Sequence, residues 1–202
     1  DNNDEVVEAS KRSPRNEVAR FILEDLDKAI DLLASRSKFS GQRLNREAAL
    51  LFKSRVALYE GTFEKYHRNS GRVPGDSEWP GANADYNSGK IFGIDGEIEF
   101  FLTEAIAAAE EVAGTAQLTS NNHVIEPTVG VTTGWNPYFE MYSQPSLANV
   151  TEVLLWKEYN SELSVKHNAP YRCKIGCADG YTRTFVEAFL MKNGLPIYAE
   201  NS

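Results

Sequence analysis

The sequence predicts a mostly α-helical protein in which helix pairs stack in order, with long decorated loops between them. Three observations predict it. Apolar residues recur at helical spacing over residues 14–34, 45–67 and 97–116. The connection between the first two segments is short, which makes them antiparallel neighbours. Small residues at Ala48, Ala49 and Ala57, and again from Ala105 to Ala109, let one helix approach another closely.

The first helix is expected over residues 14–34. Ser13 is placed to cap it, and Pro14 suits a first turn because its missing N–H has no partner there. Val18, Ile22, Leu26, Ala29, Ile30 and Leu33 form its stripe, widened by Phe21. Glu24 and Lys28 stand four apart, in the order that favours an ion pair. Ser40-Gly41 breaks the pattern. The second helix is expected over residues 45–67, with Ala48, Leu51, Phe52, Val56, Tyr59 and Phe63 as its core face. Gly61 weakens it unless another helix comes close at that point. Residues 69–96 are rich in Gly, Pro, Asn and Asp, and are long for a loop in a compact domain, so they read as functional or mobile.

The third helix, over residues 97–116, turns Ile98, Phe101, Leu102, Ala105, Ala108, Ala109 and Val112 to one side, with Asp95 as candidate cap. A short fourth helix begins at Asn136-Pro137, a cap followed by proline, and its Tyr138, Phe139 and Tyr142 read as core. Residues 152–159, EVLLWKEY, form either a strand or an extended buried segment, with Trp156 inside it. Thr184 and Glu187 fit a capping box for a fifth helix that presents Phe185, Val186, Phe189 and Leu190 before Asn193-Gly194 and Pro196 stop it. Stacked pairs of this kind give a tetratricopeptide-like helical-repeat array, here expected as a single domain over residues 1–202.

Composition narrows the function. A net charge of -8 argues against nucleic-acid binding, which needs a basic face toward phosphates. No apolar run is long enough to cross a bilayer. The opening DNNDEVVEAS has neither a signal peptide nor a lipidated cysteine, so an internal portion of a longer chain is expected. Gly-rich phosphate loops and a nucleophile elbow are both missing from the sequence. His67, His123 and His167 lie in separate segments and read as surface residues, and carboxylate runs such as Glu110-Glu111 read as solvated helix faces. Cys173 and Cys177 lack further metal-ligand partners; a local disulfide and two free thiols both remain open. The expectation is a non-enzyme with no cofactor and no metal. Sugar rings stack their C–H faces on aromatic side chains, while amides and charged groups bond the hydroxyls. Two stretches carry that chemistry: Trp79 with Asn83, Asp85 and Tyr86, and Trp135 with Asn136.

Five stretches also resemble one family, in order along the chain. They are RNEVARFILEDLDKAIDLL with its Asp25-Leu26-Asp27-Lys28-Ala29-Ile30 pattern, REAALLFKSRVALYEGTFEKYH, EAIAAAEEV, EVLLWKEYN and TFVEAFLMKNGLPI. Together they resemble the SusD/RagB proteins, lipid-anchored glycan-capturing subunits of outer-membrane uptake systems in Bacteroidetes. Ala48, Ala49, Arg55, Leu58, Tyr59 and Gly61 carry the most specific part of the likeness. The resemblance implies a helical-repeat scaffold and a non-catalytic role on the cell outer membrane. It also implies an oligosaccharide or similar nutrient as ligand and a SusC-like TonB-dependent transporter as partner. The family has no fixed ligand motif, so no site residue carries over from it. The rival reading is a cytoplasmic helical-repeat scaffold that binds other proteins.

Overall fold

A computed structural model describes residues 10–176 and 180–199. Two compact units divide the chain, Asp1–Glu158 and Tyr159–Ser202. The first holds helices α1 (Arg15–Leu32), α2 (Arg46–Tyr66), α3 (Ile94–Ala113) and α4 (Pro137–Ser143); the second holds α5 (Ala169–Ile175) and α6 (Arg183–Glu187). The protein is mostly helical, with no strand among the described residues and only two isolated bridges, Asn160–Val165 and Leu190–Pro196.

In the first unit α2 is the central helix, packed on α1 and on α3. One core cluster gathers Ala19, Leu23, Ala57, Phe101 and Ala105; a second gathers Ile30, Ala49, Leu50, Ala108, Val112 and Leu154. The alanines mark the lines of close approach, as the sequence predicts, and Gly61 lies where Leu102 of α3 comes nearest: an added Cβ would stand 3.0 Å from the leucine side chain. The face expected for α3 is the face that packs.

The face expected for α2 is corrected. Its buried residues are Ala49, Leu50, Lys53, Ala57, Glu60, Gly61 and Glu64, while Phe52 is 53% and Tyr59 64% exposed. A helix wedged between two neighbours buries its smallest side chains, because bulk there would force the partners apart. Charged residues can join that face when the neighbours supply counter-charges. Lys53 Nζ sits 2.6 Å from Asp27 of α1 and 2.6 Å from Glu104 of α3. Burial alone would lower the Lys53 pKa, but these two carboxylates outweigh it and hold the ammonium above its ordinary value. Phe21, expected to widen the α1 stripe, is likewise exposed.

Several caps differ from the sequence reading. Pro14 itself occupies the cap position of α1, so Ser13 falls one residue too early and no side chain caps the helix. Helix α3 starts from Gly93, which moves Asp95 into the first turn, where a carboxylate still suits the dipole. Thr182, not Thr184, caps α6 by accepting from the Phe185 N–H. Lys28 pairs with Asp25 rather than Glu24. Asn136 and Pro137 start α4 as expected, Asn136 accepting from the Tyr138 and Phe139 amides. Yet α4 buries only Met141, and Tyr138, Phe139 and Tyr142 are exposed, because seven residues offer one narrow face to the unit.

The EVLLWKEY stretch is extended and belongs to no strand. Its position is fixed from the turn after α1. The Arg36 guanidinium donates to the carbonyls of Leu147, Ala148, Val150 and Val153 at 2.8–3.2 Å. Trp156 donates its backbone N–H to Gly41 O (3.0 Å) and its indole N–H to Ser40 O (2.7 Å). Asn45, which caps α2, donates to Leu154 O at 2.8 Å. Leu154 and Trp156 are thereby buried, and Leu155 between them faces out.

In the second unit no residue whose burial is described is buried. Phe185, Val186, Phe189 and Leu190, expected as a packed face, are exposed; α6 is little more than one turn, and its rings stack locally, Tyr181 on Phe185 and Phe185 against Phe189. The readings for the two cysteines depend on Cys177, which lies outside the described residues.

Candidate functional site

The loop between α2 and α3 is built rather than slack. The Asp76 carboxylate is buried and accepts from three backbone amides, those of Asn69 (2.9 Å), Gly71 (3.2 Å) and Val73 (3.3 Å). Val73 and Pro74 are fully buried beneath it. Two short 3-10 turns follow, Pro80–Asn83 and Asp85–Asn87, and buried Asn87 donates to Gly81 O at 3.0 Å. Anionic acceptors of backbone amides make strong hydrogen bonds. Asp76→Ala should therefore destabilise the protein by about 2 kcal/mol and speed hydrogen exchange at the Asn69, Gly71 and Val73 amides while leaving α1 protected.

This loop sets the Trp79 indole edge-on against Phe92, with ring centres 5.2 Å apart. Gly81 lies under the indole so closely that a Cβ there would overlap the ring. Tyr86 follows at 37% exposure, with the Lys11 ammonium 5.9 Å from its ring centre. Trp79, Tyr86 and Asn87 line one groove of about 490 Å³ together with Arg12, Arg15 and Arg72. Arg15 makes a two-pronged bond to Glu60 (2.8 and 2.6 Å), and its Cζ lies over Phe63, 3.4 Å from the ring centre. The bond to Glu60 chiefly holds the Arg15 pKa above its ordinary value.

Four of the six residues named from sequence do not join this groove. Asn83 and Asp85 are exposed on the same loop but do not line it. Trp135 and Asn136 line a separate cleft of about 410 Å³ beside His123 and Val124. Asn136 spends its polar atoms on structure there: its oxygen caps α4 and its amide donates to Val124 O. Trp135 leans on Phe139 with ring centres 4.8 Å apart. The three arginines were missed from sequence. Arg12 precedes α1 and Arg72 follows α2, so only the antiparallel pairing of these helices unites them.

Two further features stand out. Glu64 of α2 is 1% exposed, and neither carboxyl oxygen has a hydrogen-bond partner when it is ionised. Burial, and then the nearby carboxylates of Glu60 and Glu97, push its pKa up to about 8 against the pull of Arg15. At pH 7 it therefore holds a proton, which it can donate to Glu60. Separately, an open apolar trough of about 540 Å³ runs between α1 and α2, walled by Val18, Ile22, Phe52, Val56 and Tyr59. Among the described residues no His, Cys, Asp and Glu cluster is placed to hold a metal ion, and no helix is long and apolar enough to cross a membrane. Comparison with family models, with curated proteins and with solved structures gave no match.

Proposed function

We propose that this chain is the binding portion of a nutrient-uptake protein of the SusD/RagB kind, and that it captures an oligosaccharide without chemical change. The observation that carries the reading is the meeting of Trp79 and Tyr86 in one polar groove, with Asn87 and arginines beside them. An aromatic wall takes the apolar face of a sugar ring, and the surrounding donors take its hydroxyls. The sequence resemblance supports the same assignment. On it, the α1–α3 stack is a tetratricopeptide-like scaffold. The full-length protein sits lipid-anchored on the outer membrane and delivers its ligand to a SusC-like TonB-dependent transporter.

Binding of a glycan array by the purified protein, followed by calorimetry on the best ligand, tests this. Trp79→Ala should weaken binding by about 1–2 kcal/mol, the usual loss for a main aromatic anchor. Trp135→Ala should leave it unchanged. A best ligand bound equally well by the Trp79 variant would remove the groove from consideration.

One observation favours a second reading, a helical-repeat scaffold that docks another protein: the apolar trough between α1 and α2. An array without any bound glycan, together with partner capture that Phe52→Asp abolishes, would move the chain to that class.

A further inference from the structure

We infer that the groove is selective for an acidic oligosaccharide, with Arg12 and Arg72 holding the carboxylate or sulfate of a sugar whose ring stacks on Trp79. This rests on the capture reading above and names the ligand class it leaves open.

The charge distribution is the first argument. The chain carries 29 acidic residues against 21 basic ones, yet no carboxylate side chain lines this groove, whereas three guanidinium groups do. Arg15 is already committed to Glu60. Arg12 and Arg72 are exposed, and neither pairs with a carboxylate among the described residues. Each keeps its planar fork of donors, the geometry that grips carboxylate and sulfate oxygens two at a time.

The backbone adds to this. Ser13, Pro14 and Arg15, which line the same groove, lead into α1, an 18-residue helix whose cap residue Pro14 offers no side-chain acceptor; the Glu17 amide is taken by Asn16 Oδ1. The positive end of its dipole favours an anion at that end. Lys11 near Tyr86 contributes another cation on that side. A neutral glycan would need none of these charges. A bare inorganic anion would need neither Trp79 nor Tyr86.

Calorimetry with four probes separates the possibilities: tetragalacturonate, a heparin tetrasaccharide, maltotetraose and inorganic sulfate. One of the two acidic tetrasaccharides should bind at least tenfold more tightly than maltotetraose and than sulfate alone. Arg12→Gln and Arg72→Gln should each weaken it about tenfold, and the double variant about a hundredfold. Raising salt from about 50 to about 500 mM should weaken it further. Both arginines are exposed, so circular dichroism should show unchanged folds. Tighter binding of maltotetraose, indifferent to the arginine variants, would overturn the acidic preference and leave the capture reading standing. Sulfate alone binding as tightly as the acidic sugars would overturn the role of the aromatic wall. Acidic sugars that bind without regard to Arg12 and Arg72 would overturn the assignment of those residues. Silence toward all four probes by a folded protein would sink both the inference and the capture reading.

Discussion

Replacing Glu64 with glutamine should stabilise the protein by about 3 kcal/mol at pH 7 and flatten its stability between pH 5 and 8. In the folded chain this carboxyl group titrates near 8, whereas in the unfolded chain it has an ordinary value of 4.5. Between those values the unfolded chain has released its proton and the folded chain still holds one. The unfolded state therefore binds fewer protons, and the contribution of Glu64 to stability falls as pH rises, by about 1.4 kcal/mol per pH unit. Below the unfolded value the penalty vanishes, since both states are protonated. Glutamine keeps the shape, stays neutral throughout and can donate its amide to Glu60 as the protonated acid does. Urea denaturation of both proteins at pH 5, 6, 7 and 8 should give curves that diverge with pH. Two parallel curves would mean that Glu64 is solvated and ionised in the folded state.

Arg36→Ala should cost about 3 kcal/mol, because one charged side chain serves four carbonyls and all its bonds are lost together; Leu147 O and Val150 O keep the backbone amides of Val150 and Val153, while Ala148 O and Val153 O lose the guanidinium. The loss should be seen first at the extended segment. With Val153 released, Trp156 no longer docks on the turn at Ser40 and Gly41, and its emission should shift to the red before α1–α3 melt. Lysine should not rescue the defect, since a point ammonium with three donors cannot replace a planar fork that spans these carbonyls. Full stability with Arg36→Lys would show that charge, not geometry, holds the segment.

The helices were legible in the sequence, and the reason is local. Periodicity and a cap such as Asn136-Pro137 depend on residues a few positions apart. The buried side of α2 was not legible. Its larger apolar residues, Phe52 and Tyr59, point outward, and the side that packs holds alanines and ions whose partners, Asp27 and Glu104, lie on other helices. The same gap limits the site. Trp79 and Tyr86 could be chosen by their chemistry, but Arg12 and Arg72 are brought to them only by the fold. Asn136 has two readings in the sequence, a helix cap and a partner for a sugar hydroxyl, and the structure shows its oxygen in the cap.

The Lys53 ammonium acts as a single rivet through three rods. Sliding either outer rod by one turn, about 5.4 Å, would strand a buried cation with half its counter-charge gone. Such a misaligned bundle is penalised more than a merely looser one, so this residue favours the observed registry together with the Arg15–Glu60, Arg20–Glu97 and Arg46–Glu111 pairs that also join these helices.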